Sequence, residues 1–138
     1  DVLTKPSRRF FASPLVILVS LLVVVGVIAV LAVGIRDTKA RQDVRSVASA
    51  VEACVSYSDP STGAYNSLSN CDSIDELSGT CLGSCVNPAG SPFMKVAPSG
   101  SVKINSTASA VCVSEKGNTS YWKFTTDGGK IISDSSGC

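Results

Sequence analysis

The 138-residue chain contains no histidine. That absence excludes a Ser-His-Asp triad, a histidine-activated thiol and an imidazole metal ligand. An excess of either charge sign is also missing: 12 Lys+Arg stand against 11 Asp+Glu. A nucleic-acid binder needs a basic face, so no nucleic-acid partner is expected. No Cys-x-x-Cys occurs, which removes the usual dithiol redox motif. Between Phe10 and Ile35 no residue is charged, and between residues 35 and 57 there is neither proline nor glycine. These local absences organise the chain more than its averages do.

Leu15 to Val33 reads LVILVSLLVVVGVIAVLAV, with Ser20 as its one polar residue. A run of at least about 18 apolar residues is long enough to cross a bilayer as a helix. Half of these residues are Val or Ile, which favour strand in water. In lipid an unpaired backbone is too costly, and the same residues become helical. The run exceeds the roughly 7–15 apolar residues of a cleavable signal peptide. Ser13-Pro14 suits an N-cap followed by a first-turn proline. Gly26 and Gly34 are the points of flexibility, each costing about 1 kcal/mol relative to alanine. In a tight bundle they permit close backbone approach.

From residue 36 the pattern becomes one-sided. Ala40, Val44, Val47, Ala48, Val51 and Val55 follow i, i+4, i+7, i+8 spacing, and Cys54 joins their stripe. One helix over 14–57 is predicted. Beyond Tyr57 lie nine of the eleven glycines and four of the six prolines. Residues 58–100 read as loop, with a helical turn at Ser73–Leu77. Residues 101–138 read as a meander with strands at Ser101–Ile104, Ala110–Ser114, Thr119–Thr126 and Lys130–Ser133. Glu115-Lys116-Gly117-Asn118 and Asp127-Gly128-Gly129 are read as turns. Trp122 and Phe124 share a face and are expected to pack on Val44, Val47 and Val51.

The fold class is therefore α+β: a long N-terminal helix, transmembrane and then amphipathic, packed on a small antiparallel sheet. Its expected divisions are a basic extension (1–9), a hydrophobic helix (10–35), its amphipathic continuation (36–57) and a Ser/Gly/Cys-rich domain (58–138).

Six cysteines, Cys54, Cys71, Cys81, Cys85, Cys112 and Cys138, point to a disulfide framework outside the cytoplasm. That orientation is one which flanking charge leaves open. A Cys112–Cys138 bridge would pin the chain end to the sheet. For the other four, Cys54–Cys71 with Cys81–Cys85 competes with Cys54–Cys85 and Cys71–Cys81. Only Cys81 and Cys85 have zinc-pair spacing and no second pair matches, so no metal or other cofactor is expected. Asn105-Ser106-Thr107 and Asn118-Thr119-Ser120 are glycosylation sequons, with Asn105 and Asn118 as acceptors.

This plan resembles the type IV pilins and the related pseudopilins. The segments that carry the resemblance are the apolar helix, Ala40–Tyr57, and Val111-Cys112-Val113 through Tyr121-Trp122-Lys123-Phe124 and Asp127-Gly128-Gly129 to Cys138. The chain departs from the family at its start. The family's mature chain begins with Phe or Met and has Glu at its fifth position. Here the fifth residue is Lys5, and alignment by the helix puts Phe11 near the start with Leu15 at the fifth place.

The resemblance implies a structural subunit of an extracellular filament serving adhesion or motility, and not an enzyme. Identical subunits would pack Phe11, Leu15, Val16, Leu18, Leu22, Val25, Ile28 and Leu31 into an apolar core. The helix is expected to loosen around Gly34 in the assembled filament. The chain would wait in the cytoplasmic membrane with its C-terminal domain outside, and would meet prepilin-processing and pilus-assembly machinery. The competing reading is a bitopic surface protein whose exported domain binds a ligand as a monomer.

Overall fold

The computed structural model describes residues 13–79 and 91–138. The basic extension, Phe11, Cys81 and Cys85 lie outside the described residues. The chain divides into two units, Asp1–Gly34 and Ile35–Cys138. Its first helix, α1 (Pro14–Ser56), belongs to both.

In the first unit, α1 begins where Ser13 precedes Pro14. The Leu15 N–H donates to the Ser13 hydroxyl at 3.2 Å, and the Val16 N–H to the Ser13 carbonyl at 2.8 Å. This satisfies amides that every helix start leaves open. Ser20 donates to the Val16 carbonyl at 2.8 Å, so the only polar side chain of the apolar run is also satisfied. Nothing lies within 4 Å of a Cβ built on Gly26 or Gly34.

The second unit is an α+β arrangement. It holds the remainder of α1, a 3-10 turn at Leu68–Asn70, a short helix α2 (Ile74–Ser78), and four strands: β1 (Lys103–Ser106), β2 (Val111–Lys116), β3 (Tyr121–Thr125) and β4 (Ile131–Asp134). The strands form one antiparallel meander in the order β1-β2-β3-β4. The helical stripe ends on the core: Ala40, Val44, Val47, Ala48, Ala50, Val51 and Cys54 are all buried. Val44, Val47 and Val51 form one apolar cluster with Val111, Val113 and Phe124. Each such buried side chain contributes about 1.5–3 kcal/mol. Trp122 packs against the same cluster while remaining partly exposed.

Two sequence expectations require correction. Glu115 and Lys116 are not turn residues. They extend β2, where Glu115 pairs with Trp122 and Lys116 with Tyr121. The turn is displaced to Gly117–Ser120, closed by the Gly117 N–H on the Ser120 carbonyl at 2.8 Å. Polar composition suggested a turn, but cross-strand pairing and burial of Glu115 decide the local structure. Strand β1 lies two residues later than Ser101–Ile104, because its register is set by pairing Lys103 with Ser114 and Ser106 with Val111.

The loop region is held at specific points. Cys54–Cys71 joins the end of α1 to the start of that region, and this pairing excludes the Cys54–Cys85 alternative. Buried Asn66 donates from Nδ2 to the Cys54 carbonyl at 2.9 Å, satisfying an acceptor that the helix end leaves open. Ser73 and Glu76 form a capping box at the start of α2. Gly79 ends α2 in the left-handed region, with φ 72°. Buried Met94 is tied to buried Leu77 by an N–H to carbonyl bond of 2.9 Å.

Candidate functional site

The first candidate surface is the apolar length of α1 itself. Among its described residues, an 18-residue window has mean hydropathy 3.3 and none of it is buried. Leu15, Val16, Leu18, Leu22, Val25, Ile28 and Leu31 are all exposed. A soluble monomer rarely leaves so much contiguous apolar surface uncovered. The surface runs round the helix rather than along one stripe, as expected of a segment surrounded by lipid or by other helices. Two disulfides, Cys54–Cys71 and Cys112–Cys138, lie in the second unit. Together these features describe a helix suited to membrane insertion, or a signal sequence, attached to a unit suited to an oxidising, extracellular environment.

The second candidate is the face shared by α1 and the sheet within the second unit. Val111, Val113 and Glu115 alternate along β2 towards the helix. Val111 and Val113 enter the apolar cluster, whereas Glu115 meets Asp43. The Glu115 carboxyl lies beside the Asp43 carboxyl and the Ser101 backbone. Asp43 also pairs with Lys39 at 3.1 Å, an i, i+4 contact on α1. Glu115 is only 8% exposed, and its Oε2 is buried without a hydrogen-bond partner. Burial, followed by the negative charge of Asp43, raises the Glu115 pKa above its ordinary 4.5. Gly100 makes the arrangement possible, since a side chain there would overlap the Glu115 carboxyl and come within 2.8 Å of Asp43 Oδ2.

A carboxyl whose pKa rises on folding favours the folded state while it is protonated. Its contribution is fully present below pH 4.5 and is lost as pH rises through the higher folded value. Glu115→Gln should therefore raise the thermal midpoint at neutral pH. The gain should shrink to nothing on the acid side of pH 4.5. Paired melting curves across that range test this, and a gain that grows towards acid would oppose it.

Two further contacts join α1 to the sheet. The Asp37 Oδ1 accepts from the Asn118 N–H at 2.7 Å, so the helix holds the β2–β3 turn. Gly117 allows this close approach, because a Cβ there would overlap Asp37 Oδ1. The Arg41 guanidinium lies 5.2 Å from the Trp122 ring centroid, within cation–π range.

On the opposite face of β2, Ser114 is fully buried and accepts from the Cys138 N–H at 2.9 Å. The Cys112–Cys138 bridge fixes the same segment. Gly137 fits beneath it because a Cβ would meet Ser114 Oγ and the Tyr121 ring at 3.0 Å. Asn105 and Asn118 are both exposed, the former on edge strand β1 and the latter in the β2–β3 turn. Among the described residues no cluster of three or more His, Cys, Asp or Glu is arranged to hold a metal.

No protein-family model, curated protein or solved structure matches the chain.

The Asp43–Glu115 pair and the glycine that admits it are absent from the sequence reading. The available signal was alternation: Val111, Val113 and Glu115 are spaced two apart, so extending the strand by two residues places Glu115 on the core face. The helix stripe then supplies Asp43, which directly precedes Val44.

Proposed function

We propose that the chain is a structural subunit of an extracellular, type IV pilin-like filament, held in a membrane by α1 before assembly. The observation that supports this reading most is the uncovered apolar length of α1, joined in one continuous helix to a disulfide-linked α+β unit. Assembly would replace helix–lipid contacts with helix–helix contacts, so Leu15, Val16, Leu18, Leu22, Val25, Ile28 and Leu31 would keep an apolar environment throughout. Gly26 and Gly34 would allow neighbouring helices to approach closely. The second unit would form the outer surface, with its disulfides resisting unfolding. Adhesion and motility are the roles such a fibre would serve.

Shearing cells that express the chain, then sedimenting and imaging the released material, tests the proposal. The chain is expected as the repeating subunit of thin fibres. Retention of all the protein in the membrane as single copies would instead support a bitopic surface protein with a monomeric exported domain.

A further inference from the structure

The two described disulfides stand in opposite surroundings. At Cys54–Cys71 both residues are buried, at 1% and 0% exposure, and both belong to the apolar cluster. At Cys112–Cys138 the two halves differ. Cys112 is buried in β2, whereas Cys138 is exposed. Thiol–disulfide exchange begins when a thiolate reaches a sulfur, so access decides which bridge reacts and at which end.

Residues 135–138 form a strap over the outer face of the sheet, to which Cys112 and Ser114 point. The strap is held at its base and at its tip. At the base, Asp134 pairs with Lys123 at 3.3 Å and accepts from the Ser136 N–H at 3.3 Å. At the tip, the Cys138 N–H donates to Ser114 at 2.9 Å and the disulfide joins Cys112. Ser135 and Ser136 are exposed, and among the described residues no backbone–backbone hydrogen bond reaches 135–138. Beneath the strap lie the fully buried Ser114 and the Tyr121 ring.

The apolar cluster does not depend on this strap. Val111, Val113 and Phe124 meet Val44, Val47 and Val51 on the other face, where Cys54–Cys71 also lies. Lifting the strap leaves that core packed, whereas reaching Cys54–Cys71 requires unpacking it.

We propose that Cys112–Cys138 is a reversible exchange site for a small thiol, which attacks the Cys138 sulfur and releases the strap. The incoming thiolate bonds to the Cys138 sulfur. The bond to Cys112 breaks, and its electron pair goes to the Cys112 sulfur, which takes up a proton. The products are a mixed disulfide at Cys138 and a thiol at Cys112. One disulfide is consumed and one is formed, so no further oxidant or reductant is needed. Return attack by the Cys112 thiolate expels the small thiol and closes the strap. In the open form the Cys138 N–H leaves Ser114, and Ser114 and the Tyr121 ring face water. The inference rests on the second unit alone, and holds for a filament subunit and for a monomeric surface protein alike.

The test uses the full chain in detergent micelles at 25 °C, with glutathione as the probe thiol. Samples are quenched with acid, and non-reducing peptide mapping follows Cys54, Cys71, Cys112 and Cys138 individually. Glutathione should appear on Cys138, at least about a hundredfold faster than Cys54–Cys71 is lost. Iodoacetamide, applied without denaturant, should then label Cys112. The near-ultraviolet signal of Trp122 should persist, because the apolar cluster stays closed. Ser114→Ala removes the bond at the strap's tip and should raise the yield of mixed disulfide at fixed glutathione by about 2–12-fold. Ser56→Ala, whose hydroxyl bonds only within α1, should leave the yield unchanged.

Equal rates at the two bridges would mean that exchange passes through global unfolding, and would overturn the proposal. An inert Cys112–Cys138 bridge, or glutathione on Cys112 instead of Cys138, would do the same. So would a Cys112 thiol closed to iodoacetamide, since the strap would then not lift. Loss of the Trp122 signal on exchange would make the bridge a structural staple and also overturn it.

Discussion

Val24→Asp combined with Ile28→Asp should remove the chain from the membrane. The two positions lie one helical turn apart near the middle of the apolar run, and Ile28 is among the large exposed apolar residues of α1. A charged residue at the centre of a spanning helix costs about 2.5–3.5 kcal/mol on insertion scales, and the favourable contribution of the replaced Val or Ile is also lost. The pair should therefore cost about 6–7 kcal/mol, more than a ten-thousand-fold change in the insertion equilibrium. Alkaline extraction of membranes provides the measurement: the wild type should stay with the lipid and the double variant should appear in the soluble fraction. Val24→Leu with Ile28→Leu should behave as wild type. Unchanged membrane retention of the aspartate pair would argue that this helix is not held by lipid. If the chain assembles as proposed, the same pair should be missing from the fibre, because a bundle of apolar helices would offer no partner for the carboxylates.

Loss of both described disulfides should unfold the second unit. Cys112–Cys138 closes a separation of 26 residues and Cys54–Cys71 one of 17. In the chain-entropy treatment these constrain the unfolded state by about 3.5 and about 3 kcal/mol. Their combined effect, about 6–7 kcal/mol, is comparable with the whole stability of a domain of this size, about 5–15 kcal/mol. Cys112→Ser/Cys138→Ser and Cys54→Ser/Cys71→Ser should each lower the thermal midpoint strongly. The quadruple variant should show no cooperative transition at 37 °C. Near-ultraviolet circular dichroism, with Trp122 in a fixed environment in the native state, reads the loss. Reduction without mutation should be slow at Cys54–Cys71, where both residues are buried and the unit must open before a thiol can attack, and faster at Cys112–Cys138, where Cys138 is exposed. A quadruple variant that melts like the wild type would show that the apolar cluster alone is sufficient.

The sequence announces α1 because a 3.6-residue period and an uncharged run are local signals. The buried positions Val44, Val47, Ala48 and Val51 fall where that period puts them. The meander is equally local: Asp127-Gly128-Gly129 joins β3 to β4, and Gly129 adopts the left-handed conformation with φ 62°. Glu115 was harder to read. Its neighbours Lys116, Gly117 and Asn118 have turn chemistry, and the groups that keep Glu115 in β2 are Trp122 across the strand and Asp43 on a distant helix. Met94 is buried by a bond to Leu77 within a segment that has no period at all. Such positions depend on pairings between remote parts of the chain, which composition does not encode. The Gly100 site is the extreme case, since its requirement for a missing side chain exists only once Glu115 and Asp43 have met.

The hydrogen bond between Asp37 and the Asn118 amide spans 81 residues. It joins a part of the chain synthesised early to one synthesised late. During synthesis the Val44–Val51 stripe is made first and must wait for Val111, Val113 and Phe124 to cover it. Contacts between remote segments form slowly, and an uncovered apolar stripe is prone to misassembly in the interval. The delay ends when the β2–β3 hairpin docks on the helix and Asp37 receives its turn. Completion of the second unit is thus timed by the arrival of its last strands.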